Sequence, residues 1–479
     1  MLPTIATGNV ASALPTGYDV ANSGRFNSAD SPKLGKTFGS ASNSRTTFTV
    51  SAWVKRSKLG ANQDVVSAFQ SSSGLQTDLI RFGSGDDLEF WAHTTNSSGN
   101  ADIQTNRLFR DVGAWYHIVV RVDTTQGTDT NRVRIYVNGV QETSFSTSNY
   151  MNQNGETVWG IGSGVEHTIG AVGTSNYFGG YVAEVVYLDG QSVAPTEFGE
   201  FDEDSPTIWK PKDVSGLTFG NNSFYLDFKT SAELGDDVSG NTNDFTETNL
   251  ASTDQSTDTP TNNFATLNPL DNYYAASTFS EGNCKIVTHS GNMSYNTGTI
   301  AVSTGKWYVE AKVIDNADSN YHHLGITETP TTATSNWIGL SATHYGLTGY
   351  DGKIWRNNSG TAYGVSTTTG DIVGMYIDLD NNKLYFAKNG TLMNSGTGHS
   401  ITAAASTANG YYLIAYGDWE NLSTATWEVN FGNPTYTGTD QADANGYGSF
   451  EYSPSAGTFD SASKDFLALC TKNLGAYGG

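Results

Sequence analysis

Charge is scarce in this chain of 479 residues: Asp, Glu, Lys and Arg together make up 15% of it, where about a quarter is usual. Basic residues are scarcer still, 25 against 48 acidic ones, and the net charge of -23 repels phosphate backbones and anionic membranes alike. No nucleic acid is expected as a partner. Cysteine is nearly absent. Cys284 and Cys470 are the whole supply, neither sits in a C-x-x-C or Cys/His spacing, and so a disulfide framework and a zinc site both lack support. Two buried free thiols are expected instead. Helical periodicity, heptads and a β-helix repeat are missing too. The opening MLPTIATGNVASALPTGYDV has no basic start and no apolar run of signal-peptide length, and nothing later is long enough to span a bilayer. The expectation is a soluble protein made in the cytoplasm, without membrane insertion.

What is abundant is glycine, 53 residues, among Ser, Thr and Asn, with short alternating apolar runs between them. FTVSAWVKRS alternates Phe48, Val50 and Ala52 against Trp53. DVVSAFQ, DLIRFG and LEFWAHT follow at sandwich spacing, AWYHIVVRVD pairs naturally with RVRIYVNGV, and GGYVAEVVYLDG closes the set. SFYLDF, residues 223–228, adds a last strand. ASTDQSTDTPTNN, residues 251–263, has no apolar periodicity and reads as a linker or surface crossover. Strands then resume with KWYVEAKV, HHLGITE, DIVGMYIDLD, KLYFAKNG, YYLIAYG and TWEVNFG. Asn138-Gly139 and Asn389-Gly390 end two similar strands, and each predicts a type I′ hairpin, which needs positive φ at both central residues.

These runs carry resemblances. The first set, over about residues 25–230, is similar to the laminin-G/concanavalin-A-like lectin and glucanase superfamily, which implies a two-sheet jelly roll. GKWYVEAKV, LGITE, YGLTGYDGKIW and GDIVGMYIDLDNNKLYFAKNG, within residues 300–432, resemble the SPRY domain, a bent β-sandwich used for binding. The fold expected is therefore all-β, with two jelly-roll sandwiches in tandem: an N-terminal docking segment 1–24, the first sandwich 25–250, a linker 251–270, the second sandwich 271–432 and a C-terminal segment 433–479. ATGNVASALPTGYDVANSGRFN, TPTNNFATLNPLD and KDFLALCTKNL add a resemblance to structural proteins of tailed phages of marine bacteria.

Concanavalin-like folds host glucanases that carry E-x-D-x-x-E on one strand, where period-two alternation aims the carboxylates at one cleft. The nearest approach is Glu200-Phe201-Asp202-Glu203-Asp204, whose sixth position is Ser205. A solvated acidic turn, possible as a calcium site but better read as a plain loop, is expected there, and no catalytic residues. Gly162-Ser163-Gly164 lacks the spacing of a nucleophile elbow. His322 and His323 are strand neighbours that point to opposite faces and cannot together chelate one metal. One is expected in the core and one exposed. No metal or cofactor is expected.

Aromatics form the informative surplus. Trp53, Trp115, Tyr136, Trp307, Tyr308, Tyr376, Tyr385 and Trp427 lie on strands and are expected to pack inside. Trp91 ends a strand, and Tyr350, Trp355 and Trp419 lie in or beside turns. Flat rings at the ends of a rigid sandwich are suited to binding, so Tyr350, Asp351, Trp355, Asn357, Trp419 and Trp91 are the candidate ligand-binding residues. The function expected is a non-catalytic virion surface protein of the fibre or knob type, binding a host-surface glycan or envelope protein and other virion proteins as a homo-oligomer. A head-decoration or connector subunit, and a glycan hydrolase of concanavalin-like fold, are the alternatives. Its terminal segments are expected to dock onto neighbouring subunits.

Overall fold

The alternation in FTVSAWVKRS becomes the strand Thr47–Arg56, which sends Phe48, Val50, Ala52 and Val54 into one core and Trp53 to the opposite face. The computed structural model describes residues 17–40, 42–70, 76–94, 100–159, 164–272, 277–291, 293–316, 320–330, 335–419, 424–436, 438–460 and 465–477. The described chain divides into two units between Thr261 and Asn262. It is all-β, with the single described α-helix at Thr471–Tyr477, and no described helix is long and apolar enough to cross a membrane.

The first unit stacks two antiparallel sheets. One runs Val140–Gln141, Val133–Val137, Trp115–Asp123, Thr47–Arg56, Gly180–Asp189, Ser23–Phe26, Gln255–Ser256, with Phe224–Leu226 also paired to Gly180–Asp189. The other runs Phe145–Asn149, Ala101–Leu108, Asp87–His93, Gln76–Phe82, Gln63–Gln70, Glu166–Ile169, Lys33–Thr37, Thr246–Thr248. Consecutive residues on a strand face opposite ways, so Val66, Ala68, Ile80, Phe90 and Ile103 of the second sheet meet Val50, Ile118 and Val182 of the first. The back of the first sheet is covered as well. There Trp53, Trp115, Tyr181 and Trp209 form a separate cluster.

Residues 251–263, read from sequence as a linker, are built into these units. Gln255–Ser256 pairs with Ser23–Phe26. Asp258 is fully buried, accepts from the Trp115 indole at 2.9 Å and pairs with Lys55 at 2.7 Å. Polar composition hid this, because the segment is held by ion pairs and hydrogen bonds that leave no apolar period.

The second unit pairs a larger and a smaller sheet. The larger runs Thr278–Ser280, Lys285–Val287, Ala425–Asn430, Lys306–Asn316, Ile372–Asp378, Lys383–Lys388, Thr391–Leu392. The smaller runs Ser294–Val302, Tyr412–Asp418, His322–Thr327, His344–Thr348, Lys353–Arg356, Ser359–Ala362. Trp307, Val309, Ala311, Met375, Ile377, Phe386 and Trp427 fill the space between the sheets against Leu324, Ile326, Ile414 and Tyr416.

Beyond the strands, the described C-terminal segment folds back on its own unit. Phe450, Phe459, Phe466 and Ala468 pack with Tyr308, Tyr376 and Tyr385 on the outer face of the larger sheet. Glu310 on that face accepts from Tyr308 Oη at 2.9 Å and from the backbone N–H groups of Glu451 at 2.8 Å and Tyr452 at 2.7 Å. The sequence showed where the second sandwich's alternation stopped, but not that its outer face was aromatic and needed a cover. The segment 1–16 lies outside the described residues.

Candidate functional site

Antiparallel register decides which ends of the smaller sheet meet. His322 pairs with Asp418 and His323 with Thr348, so the start of His322–Thr327 lies beside the ends of both its neighbours. Tyr321, Tyr350 and Trp419, each just outside those strands, are thereby brought to one end of the sheet. The Tyr321 and Tyr350 rings stack at 4.8 Å with a 19° interplanar angle, and Tyr321 meets Trp419 edge-on at 5.5 Å.

From Trp419 the aromatic contact continues along the outer face. Trp337 stacks on it at 5.0 Å, Trp355 lies 5.5 Å from it, and Trp337 and Trp355 meet edge-to-face at 5.6 Å. The result is an unbroken array of five rings in the order Tyr350, Tyr321, Trp419, Trp337, Trp355. Trp337 is buried at 2% exposure, Tyr350 is 53% exposed, and Tyr321, Trp355 and Trp419 are half-buried. Two glycines make room: a Cβ at Gly360 would meet the Trp355 ring at 2.8 Å, and one at Gly339 the Trp337 ring at 2.4 Å. Trp355 Nε1 is hidden from solvent with no hydrogen-bond partner, an omission that costs about 1–3 kcal/mol.

Polar groups frame the array. Asp351 accepts from Thr348 Oγ1 at 2.7 Å and the Lys353 backbone N–H at 3.1 Å, and pairs with Lys353 Nζ at 2.7 Å. Burial of its carboxyl is outweighed by Lys353 and Thr348, which hold the group below the usual range. Asn357 and Asn358 form the turn between Lys353–Arg356 and Ser359–Ala362, both at positive φ and both exposed.

The structure thus brings Tyr350, Asp351 and Trp419 to one end of one sandwich with Trp355 beside them on the outer face, while Asn357 turns at the opposite end of the Lys353–Arg356 strand. Trp91 belongs to the other unit, half-buried on Asp87–His93 and stacked on His93 at 5.5 Å and 7°. Sequence reading did not place Tyr321 and Trp337 at the site. The signal for Tyr321 was its position one residue before a strand that starts where the Trp419 strand ends. Trp337 comes from a loop, and no local pattern reveals it.

The histidine pair differs from expectation. Both are buried: His322 packs edge-on against Trp427 in the core, while His323 accepts from the Ile338 backbone N–H at 3.1 Å on the covered outer face. Loop 335–340 provides that cover, and burial pushes the His323 imidazole down to about 3.

The acidic turn is also more ordered than expected. Asp202 is buried, accepts from the backbone N–H groups of Asp204 and Ser205, and lies 3.3 Å from Lys210. Glu200 is exposed beside the same lysine at 3.6 Å. Both cysteines are buried free thiols, and the aromatic residues expected inside are buried. Among the described residues no cluster of His, Cys, Asp or Glu is arranged to hold a metal.

Comparison with known proteins agrees with the two units. Residues 33–194 match the concanavalin A-like lectin/glucanases superfamily, and residues 306–414 match the SPRY domain. The Ran-binding proteins 9/10 homolog of Drosophila melanogaster is 31% identical over 104 residues, 21% of this chain and 11% of that protein. Ran-binding protein 9 of Homo sapiens is 30% identical over 95 residues, 20% of this chain and 13% of that protein. The chain therefore spans under a fifth of the length of these relatives. Among solved structures, the SPRY domain of human HERC1 is 14% identical at a TM-score of 0.28, covering 34% of this chain and 96% of that one. The TRIM65 PSpry domain is 16% identical at 0.27, covering 35% and 91%. In sequence order, the chain carries a concanavalin A-like lectin/glucanase domain followed by a SPRY domain.

Proposed function

We propose that this is a non-catalytic binding protein whose recognition surface is the aromatic end of the SPRY domain, displayed on a phage virion and engaging the host envelope during adsorption. The five-ring array supports this most directly. Trp355 is kept in place at the expense of an unpaired N–H, which phenylalanine would avoid, and a feature that breaks a local rule at the surface is expected at a functional site. The virion setting rests on the tailed-phage resemblance of the joint TPTNNFATLNPLD and the two terminal segments. Other virion proteins are the partners proposed for the remaining surface, in a homo-oligomer. The Ran-binding relatives match only a fifth of the chain and carry no comparable context for the rest.

Binding without turnover is part of this proposal, supported by Ser205 standing where the glucanase pattern has its second glutamate after Glu200 and Asp202. Release of reducing ends from β-glucans would contradict it.

The site is tested by attachment of the full chain to bacterial envelope fragments. Tyr350 is the clean probe, because half its surface is free. Tyr350→Ala is expected to weaken attachment at least tenfold with little change in melting temperature. Trp419→Ala abolishes attachment but also costs about 2–4 kcal/mol, since it touches three other rings. Full attachment by a folded Tyr350→Ala/Trp419→Ala chain would remove the array from the site.

A further inference from the structure

Resting on that reading of the site, we infer that the array takes an uncharged, hydroxyl-rich glycan and not a protein or an acidic polysaccharide.

The rings provide the first argument. Tyr350, Tyr321, Trp419 and Trp355 are each held by ring–ring contact at 4.8 to 5.6 Å. They form a pre-set strip whose side chains lose little freedom on binding. The ring surface left accessible on Tyr350 and its half-buried neighbours suits the flat, apolar C–H face of a pyranose ring. A protein epitope would instead call for deep anchor pockets. Two clefts among the described residues, of about 390 and 520 Å³, lie elsewhere, beside Arg134 and Phe145 in the first unit and beside Val365 and Leu392 in the second.

The second argument is the pair of amides at the strip's edge. Asn357 and Asn358, with φ of 49° and 55°, occupy the hairpin turn that follows Trp355. Their backbone N–H groups are satisfied by Ser341 at 2.9 Å and Gly339 at 2.8 Å. Among the described residues their side chains have no protein partner, and both are exposed. Each amide offers both donors and an acceptor, which matches a sugar hydroxyl, itself donor and acceptor. A hairpin turn needs only residues tolerant of positive φ. Asn-Gly or Gly-Gly would serve the turn without adding a second free amide.

Charge supplies the third argument. Asp351 pairs with Lys353, and the exposed Arg356 donates to the Ala342 carbonyl at 3.0 Å while lying over the Tyr345 ring. Among the described residues of the array Arg356 is the one cation without an acidic partner, and this single charge stands against a chain net charge of -23, which opposes polyanions.

The test is a glycan array probed with the full wild-type chain and with Asn357→Gly/Asn358→Gly. Because both side chains are exposed and glycine adopts positive φ without strain, this variant is expected to fold with little change in melting. Wild-type signal confined to neutral glycans, falling at least fivefold in the variant, is the expected result. Binding confined to sialylated, sulfated or uronic-acid glycans, or no binding, would overturn the inference. So would an unchanged signal in the variant. If the glycan array stays silent while Tyr350→Ala still loses attachment to envelope fragments, the ligand is a protein. In that case the recognition site stands without its glycan.

Discussion

Glu184 sits at the bulge between Ala183 and Val186 on Gly180–Asp189, with a left-handed φ of 50° and 5% exposure. Its Oε2 accepts from Tyr225 Oη at 2.7 Å and Tyr18 Oη at 3.2 Å, and through Tyr18 it anchors the first described residues onto the lectin-like sandwich. Burial pushes this carboxyl from 4.5 up to about 7, against the lowering effect of the two hydroxyls. Between those values the folded chain keeps a proton that the unfolded chain releases, so stability falls as pH rises through the window and the loss is complete above about 7. Buried histidines act oppositely. His117 is held near 3, His167 near 4 and His344 near 4 by desolvation, and their neutral forms lose stability as pH falls below 6.5. The wild-type pH profile therefore sums opposing slopes, and a variant isolates one of them. Glu184→Gln keeps an acceptor for both tyrosines and removes the titration. Between pH 5 and pH 8 it should gain roughly 3 kcal/mol on wild type in denaturant unfolding. An equal wild-type-to-variant difference at both pH values would show that Glu184 is ionised throughout.

At the scale of elements, the paired hairpins explain why two strands 250 residues apart end alike. Asn138 and Gly139 have φ of 49° and 77°, Asn389 and Gly390 48° and 75°, as a type I′ turn demands. The asparagines also tie each turn down: Asn138 Oδ1 accepts from His117 N at 2.7 Å and Asn389 Oδ1 from Ile372 N at 2.8 Å. A Cβ on Gly139 would meet the Trp209 ring at 2.4 Å, and one on Gly390 the Tyr452 ring at 2.5 Å. Gly139→Val and Gly390→Val therefore combine strained φ with a clash, and each should cost about 3 kcal/mol or more. Unchanged melting of both variants would contradict the turn assignment. Both turns were legible in the sequence because Asn-Gly after an alternating strand is a local signal. So was the alternation of the strands themselves, since period two is imposed by the pleat. Asp258 and Glu310 were not legible, because their partners lie 203 and 141 residues away and no local pattern encodes so distant a hydrogen bond. The site was half legible for the same reason. Tyr350, Trp355 and Trp419 stood out beside turns, whereas their assembly through Tyr321 and Trp337 depends on register and on a loop.

For the whole molecule, two sandwiches of different family carry their aromatic residues differently. In the lectin-like unit the back of the first sheet is closed over by Trp209 and its neighbours, and Trp91 with His93 remains half-buried on the second sheet. In the SPRY unit the C-terminal segment covers one outer face, while at the end of the other sheet Tyr350 and its stacked neighbours stay accessible. This division is the basis on which we propose recognition by the SPRY unit and a supporting part for the lectin-like unit. Hydrogen–deuterium exchange on the full chain, free and attached to bacterial envelope fragments, tests that division most directly. Attachment should slow exchange in peptides covering residues 344–358 and 412–419 and leave residues 87–104 unchanged; protection at residues 87–104 with none at the SPRY end would contradict it.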